Sequence, residues 1–309
     1  MHGWIILDKP LGLGSTQGVA AVKRALRQGG YGKFKVGHGG TLDPLATGVL
    51  PIAVGEATKL AGRLLDSDKV YDFTIRFGTQ TDTLDTEGEV IAESDVRPTL
   101  AALHDVLARF TGPIAQIPPA YSALKVDGAR AYDLARAGEE VVLASRTVII
   151  HSLRPALAAG PPAGAQPPLR AVTLTAHVSK GTYIRSLARD IAIALGTVGH
   201  VTMLRRVQAG PFGVDAAISL DKLAEAGMAR GLEQILLPLR TGLDDIPALV
   251  LDPGQAGALR QGRVLAGIAA DDGLHFACMD DVPVALVEVR DGNVHVVRGF
   301  NLTMSKEEA

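Results

Sequence analysis

The sequence predicts an α+β protein, and three observations carry that expectation. Residues 69–77 alternate apolar and polar side chains as a half-buried strand does. Residues 15–26 and 98–110 repeat apolar side chains at helical spacing. Beyond Leu243 the texture changes to short apolar runs, with Asp291-Gly292 as a strong hairpin turn signal. A chain of 309 residues suggests about two domains, and the change of texture places a boundary near 240–250.

Taken in order, Gly3 to Asp8 reads as a buried strand, short, apolar and β-branched. Lys9 to Gly14 punctuates it, and Ser15 or Thr16 can cap a helix running through Leu26. Val49 to Val54 reads as a strand interrupted by Pro51, and Glu56 to Leu65 as a helix. In the 69–77 strand the alternation slips at Tyr71-Asp72, which predicts that Tyr71 lies opposite the later apolar set. Residues 78–89 are polar and repetitive, a loop expected to have no core of its own. The double proline at Pro118-Pro119 favours extended, polyproline-like backbone in a stiff projecting connection. Residues 158–168 are a low-complexity loop. Strand 169–178 and helix 186–195 follow, and then the stretch 201–207, which contains Leu204-Arg205-Arg206.

Apolar residues make up 47% of the chain, an ordinary value for a packed globular protein. One cysteine, Cys278, rules out an internal disulfide framework and any multi-cysteine zinc site. No basic leader followed by an apolar run opens the chain, and no apolar stretch approaches the ~20 residues of a membrane helix. The expectation is a soluble, cytoplasmic protein. Net charge is −2, yet cations cluster. Lys9, Lys23, Arg24, Arg27, Lys33 and Lys35 stand against Asp8 alone, and Lys180, Arg185, Arg189, Arg205 and Arg206 against Asp190. Phosphate pairing is local and needs no basic total, although two solvated faces would look the same.

No phosphate loop, dinucleotide glycine fingerprint, zinc-protease helix or serine-nucleophile elbow is present, and the histidines show no metal-ligand spacing. The expectation is no cofactor and no metal, so any catalysis falls to ordinary side chains. The most concentrated candidate is Gly37-His38-Gly39-Gly40-Thr41-Leu42-Asp43-Pro44-Leu45-Ala46-Thr47-Gly48-Val49-Leu50. Three glycines allow tight bends, and one carboxylate follows them. Asp43 also has a structural reading, since Asp-Pro is a favoured helix start.

That stretch resembles the central motif of the tRNA pseudouridine synthase B (TruB) family, whose last six positions it matches residue for residue. Leu7-Asp8-Lys9-Pro10, Gly55-Glu56-Ala57-Thr58-Lys59, Asp66 to Tyr71, Pro119 to Lys125 and Ser179 to Arg185 match further family motifs in the same order. The resemblance covers residues 3–240. It implies the pseudouridine synthase fold, a mixed, mostly antiparallel central sheet with flanking helices. It also implies a catalytic domain over 1–243, with an RNA-contacting segment at about 112–147, and a small β-rich PUA-like domain over 244–309.

The implied activity is isomerisation of the T-loop uridine of tRNA, conventional position 55, to pseudouridine. The N1–C1′ bond must break, the uracil rotate, and C5 bond to C1′. No redox change occurs, in keeping with the expected absence of a cofactor. The family's catalytic aspartate falls on Asp43, which could attack C1′, attack C6 or remove the C2′ proton. Its arginine partner falls on Arg185, a cation that would favour the ionised carboxylate. The resemblance assigns base stacking to Tyr71, the space left by the flipped nucleotide to His38, and the base pocket to Tyr183 and Leu204. Lys9, Lys59 and Lys180 become phosphate or pocket-wall contacts, and Gly39 stands where the family often has threonine, which would loosen the loop.

The implied partner is a tRNA T-stem-loop, with no membrane, guide RNA or protein partner required. Three rivals remain at this level. One is an RNA-binding protein without turnover, and another is the guide-RNA-dependent branch of the family. The third is an acid–base hydrolase with Asp85 or Asp190 as its second carboxylate.

Overall fold

A computed structural model describes residues 1–122, 124–126, 128–139, 141–156 and 167–302. Most of the low-complexity stretch 158–168 lies outside the described residues. The chain opens with β1 (Gly3–Lys9), α1 (Ser15–Gln28), β2 (Val36–His38), β3 (Ala46–Val54), α2 (Ala61–Asp66), β4 (Lys69–Phe77), β5 (Thr79–Thr81) and β6 (Val90–Glu93). Then follow α3 (Leu100–Arg109), β7 (Gly112–Gln116), β8 (Lys125–Val126), β9 (Ala129–Arg130), α4 (Ala131–Arg136), β10 (Arg146–Pro155), β11 (Ala171–Val178) and α5 (Ile184–Ala194). The last part holds β12 (Gly199–Ala209), β13 (Phe212–Gly213), α6 (Leu220–Met228), β14 (Leu237–Pro238) and β15 (Ala248–Val250). It ends with α7 (Pro253–Arg260), β16 (Gly273–Met279), β17 (Val282–Arg290) and β18 (Asn293–Gly299). The α+β expectation holds, with a mostly antiparallel sheet.

Two compact units share the chain: Met1–Asp43, Val49–Leu65 and Gly210–Ala309 form the first, Pro44–Gly48 and Asp66–Ala209 the second. In the first unit, β1 pairs antiparallel with β14, and β2 pairs antiparallel with β3. Ile5 and Leu7 of β1, Val19, Val22 and Leu26 of α1, and Leu50, Ile52 and Val54 of β3 make one apolar core with Leu223 of α6. The predicted stripe of α1 is thus the face that is buried.

The first unit also carries a four-stranded sheet in the order β15-β16-β17-β18. It has a core of its own, built from Leu251, Leu259, Ala277, Val287, Val289 and Val294. The predicted hairpin joins β17 to β18, with positive φ at both Asp291 (49°) and Gly292 (70°), as a two-residue primed turn requires. The sequence reading passed over β16 in this sheet.

In the second unit β12 lies between β4, to which it is antiparallel, and Ala46–Gly48 of β3, to which it is parallel. The order continues through β11, β10 and β7, all antiparallel. Helices α3 and α5 bury Leu103, Val106, Leu107, Leu187, Ala188 and Ile191 against Phe73, Ile75 and Phe77 of β4. Gly48 has φ +100°, and a Cβ there would meet the Arg206 carbonyl, so only glycine suits this rung.

Several local expectations are corrected. Asp43-Pro44 does not start a helix: a turn at Pro44-Leu45 leads directly into β3. Pro51 does not interrupt that strand. It stands one residue past the last rung of the β2–β3 ladder, His38↔Ile52, and its carbonyl accepts from the Gly39 N–H at 2.8 Å, so its missing donor removes no rung of that ladder. Residues 55–65 are a 3-10 turn (Gly55–Lys59) followed by the short α2, not one helix.

Tyr71 is also not on the opposite face. Strand β4 pairs with β11 at every step from Lys69 to Arg76 without a shift. Period two therefore puts Tyr71 with Phe73, Ile75 and Phe77, and it packs against the same core. The irregularities belong to β12, between Val201 and Met203 and between Arg206 and Gln208. The polar stretch 78–89 is a hairpin connection between β5 and β6, and it buries Thr81, Leu84 and Asp85.

Candidate active site

The candidate carboxylate, Asp43, is the last residue of the first unit's opening stretch and lies in the irregular segment that follows β2. Ser15, the first residue of α1, reaches this segment. Its Oγ accepts from the Leu42 N–H at 2.8 Å and donates to the Leu42 carbonyl at 2.9 Å. One buried hydroxyl therefore satisfies both backbone groups of the buried residue immediately before Asp43. Ser15 was expected as a helix cap. Gly14 takes that position instead, and its N–H is accepted by Gln17 Oε1 at 2.7 Å. The sequence offered no sign of the Ser15 bracket, because a serine at a helix start already has a local explanation.

His38 ends β2, and its Nδ1 lies 3.4 Å from the Gly40 N–H. Gly39 is buried, and a Cβ there would lie 2.6 Å from Leu64 Cδ1 and 2.9 Å from Leu64 Cβ. The space a side chain would use is occupied by Leu64, so glycine here tightens this segment and does not loosen it.

The three candidate lysines have different surroundings. Lys9 is fully buried, and its Nζ donates to the carbonyls of Leu13 at 2.7 Å and Pro10 at 3.1 Å. A side chain with no exposed surface does not meet a backbone phosphate, so only the pocket-wall reading is kept for it. Lys59 pairs with Glu56 at 2.7 Å and donates to the Gly299 carbonyl at 2.8 Å, which ties the 3-10 turn to β18. Partial burial pushes the Glu56 carboxyl up, but the Asn301 N–H and the Lys59 ammonium outweigh it and the net direction is down. Lys180, in the second unit, makes an exposed pair with Asp66 at 2.9 Å.

The second unit holds the other candidates. Tyr71 of β4 is opposite Arg206 of β12, and Phe73 is opposite Leu204, whose other neighbour is Ala46. Arg206 and Lys69 are both buried. Burial pushes the Lys69 ammonium down to about 8, the nearby Arg206 adds to this, and Asp68 and Asp66 oppose it.

Tyr183 precedes α5. Its N–H donates to Gln116 Oε1 at 2.8 Å, and the Arg146 guanidinium lies 4.9 Å above its ring. Arg146 also donates to the Gly181 carbonyl. Gln116 and Arg146 are direct partners across β7 and β10, so one rung of the sheet fixes both the backbone and the ring of Tyr183. Neither was expected from the sequence.

Arg185, in the first turn of α5, is buried. Its guanidinium donates to the carbonyls of Thr83 and Tyr121, both at 3.0 Å, and lies 3.3 Å from Asp85 Oδ2. Asp85 in turn accepts from Thr83 Oγ1 at 2.5 Å and from the Glu87 N–H at 3.0 Å. The Tyr121 hydroxyl donates to Asp82 at 3.0 Å, and that bond pushes its pKa up. The polar loop thus supplies Arg185 with one buried carboxylate and one carbonyl. This removes the hydrolase rival's second carboxylate, since Asp85 is paired to Arg185 and Asp190 to Arg189 at 2.8 Å. The double-proline segment is held at its base, where the Ile117 carbonyl accepts from Ser186 at 2.8 Å and Arg189 at 3.2 Å.

Chemically, the two units offer a carboxylate on a pinned backbone, a buried arginine with fixed partners, and aromatic rings on a sheet and at a helix start. Among the described residues no helix is long and apolar enough to cross a membrane.

Comparison with known proteins defines the class first. Residues 24–184 match the TruB family pseudouridylate synthase N-terminal domain, and residues 185–244 match the tRNA pseudouridylate synthase B C-terminal domain. The chain is therefore a pseudouridine synthase. It is 68% identical to the tRNA pseudouridine synthase B of Novosphingobium aromaticivorans, across 98% of both chains. With that of Zymomonas mobilis it shares 58%, across 97% of this chain and 96% of the other. A chain in the crystal structure of a Cbf5-Nop10-Gar1 complex superimposes with a TM-score of 0.71 at 26% identity, over 96% of this chain and 84% of that one. The chain belongs to the TruB family, and its activity is the pseudouridylation of tRNA.

Proposed function

We propose that the chain isomerises the T-loop uridine at conventional position 55 of tRNA, flipping the base out of its stack and acting through one carboxylate, Asp43. The observation that carries this reading is the pair of hydrogen bonds between Ser15 Oγ and the Leu42 backbone, one donated and one accepted, which fixes the backbone next to Asp43 in a segment with no regular structure. A carboxylate that must meet a sugar or a base at one atom gains from such fixing, because misplacement by about 1 Å can cost ~100-fold in rate.

In this reading Arg185 supplies the cation that favours ionised Asp43. Flipping a stacked base costs a few kcal/mol, and stacking on Tyr71 returns about 1–3 kcal/mol. His38 occupies the vacated space, Tyr183 and Leu204 line the base pocket, and Lys59 and Lys180 meet phosphates on the approach. Residues 1–243 form the catalytic domain, with 112–147 contacting RNA, and 244–309 a PUA-like RNA-binding domain. The enzyme works alone in the cytoplasm, where its tRNA substrate is, without guide RNA or protein partner. The much higher identity to tRNA pseudouridine synthase B than to the Cbf5 neighbours supports that choice.

The test is positional. An unmodified T-stem-loop RNA and a twin carrying cytidine at position 55 are incubated with the enzyme, and pseudouridine is mapped in both. Product at position 55 in the first and none in the twin is the expected result. Product at another uridine, or equal product in the twin, overturns the assignment.

A further inference from the structure

Three ligand-type side chains to which the proposed function gives no role converge on the second unit. Asp68 immediately precedes β4, His151 lies on β10 and His177 on β11. Each offers one ligand atom, and the three atoms lie within 4.8 Å of one another. Asp68 Oδ2 is 3.1 Å from His151 Nε2 and 3.6 Å from His177 Nε2. The two imidazoles stand 4.7 Å apart between centroids, tilted by 41°. Their wide separation along the chain is why no metal-ligand spacing marks them in the sequence.

A break in regular pairing accompanies the convergence. Between β10 and β11 the register steps from Ile150↔Val178 to Ser152↔His177, which leaves His151 as the extra residue of a bulge. A bulge re-aims a side chain that strict alternation would direct elsewhere. Here it brings an imidazole beside that of His177.

An ion-paired surface cluster would use the same residues, so the geometry has to decide. Nitrogen and carboxylate ligands hold zinc at about 2.0–2.1 Å in tetrahedral sites, which sets ligand–ligand edges of about 3.3–3.4 Å. The two measured edges fall on either side of that value, and both run to the same carboxylate oxygen. All three side chains are about one-third to one-half exposed, at 46% for Asp68, 35% for His151 and 42% for His177. An ion and its waters can therefore enter without opening the fold. The neighbouring Lys69 ammonium is directed to the Ser67 carbonyl at 2.5 Å.

We infer that Asp68, His151 and His177 form a surface site for one borderline divalent transition ion of the Zn²⁺ class, with water completing the coordination. Two imidazoles and one carboxylate suit Zn²⁺, Co²⁺, Ni²⁺ or Cu²⁺ and not Mg²⁺ or Ca²⁺, which take oxygen ligands. The ion would tie the start of β4 to β10 and β11. It would act as a staple on three strands and take no part in the uridine chemistry.

The test uses untagged full-length protein, titrated with Zn²⁺ by calorimetry and with Co²⁺ by visible absorption, beside Asp68→Asn, His151→Gln and His177→Ala. The expected result is one equivalent in the wild type, a thermal midpoint that rises with Zn²⁺ concentration, and no response to Mg²⁺. Each variant loses that equivalent and the midpoint rise while keeping the wild-type circular dichroism. Because the three substitutions are at partly exposed positions, two on different strands and one just before a third, loss of folding in one leaves two to decide. Absence of stoichiometric binding in the wild type, or equal binding in the folded variants, overturns the site.

Discussion

The segment 39–45 and the loop 82–89 fix charged groups in opposite ways. In the first, the backbone is held and the charge is left partly exposed: Ser15 brackets Leu42, Leu64 fills the space beside Gly39, and Asp43 follows. In the second, the charge itself is buried. Asp85 and Arg185 are 8% and 7% exposed and 3.3 Å apart, with the Thr83 and Tyr121 carbonyls on the guanidinium and the Thr83 hydroxyl and Glu87 N–H on the carboxylate. Burying an ion pair costs desolvation that its attraction barely offsets, so the second arrangement adds little net stability while it is intact. What it fixes is the direction of a guanidinium. Damage should therefore weigh differently, with the larger stability loss in the second segment and, in the first, a smaller one accompanied by loss of turnover where the backbone next to Asp43 is released.

The largest stability effect is expected from Asp85→Ala, which removes one buried carboxylate from beside Arg185. Breaking one side of such a pair costs about 3–5 kcal/mol, measurable as a shift in urea midpoint at unchanged slope. A cost near zero would mean that the pair is solvated and that the contrast fails. Ser15→Ala comes next. It strands the buried N–H and carbonyl of Leu42, at about 1–3 kcal/mol, and should lower kcat by roughly tenfold or more with a smaller change in KM. An unchanged kcat would show that the serine bracket does not hold the reacting carboxylate.

Gly39→Ala is the mildest. The new methyl displaces Leu64, an overpacking cost of roughly 1 kcal/mol. Combining it with Leu64→Ala should recover part of that cost in a double-mutant cycle. Additive effects would mean that Leu64 does not fill the space beside Gly39.

The same contrast explains what could be read in the sequence. β1, α1, β4, α3 and the 291–292 turn are set by local periodicity or turn chemistry and were legible, and the motif around Asp43, being contiguous, marked the family. Tyr71 was misplaced by a miscounted alternation on a strand that the structure shows to be regular. The real bulges lie on β12, where only pairing reveals them. Ser15 was expected as a helix cap and Asp85 only as a rival's second carboxylate in a coreless loop, because their actual partners are distant in sequence, Leu42 for one and Arg185 for the other. The rung formed by Gln116 and Arg146 beneath Tyr183 is likewise a product of register, which no local pattern encodes.

The central claim is that Asp43 performs the chemistry while its surroundings only hold it. The most direct measurement is the single-turnover rate of Asp43→Asn on a saturating, unmodified T-stem-loop, with RNA affinity and thermal midpoint measured on the same preparation. The account predicts wild-type stability, RNA affinity within a few-fold of wild type, and a rate reduced by at least about 10²–10⁴-fold, the scale of a lost acid–base or covalent group. A variant that binds RNA and still forms pseudouridine at the wild-type rate would contradict it.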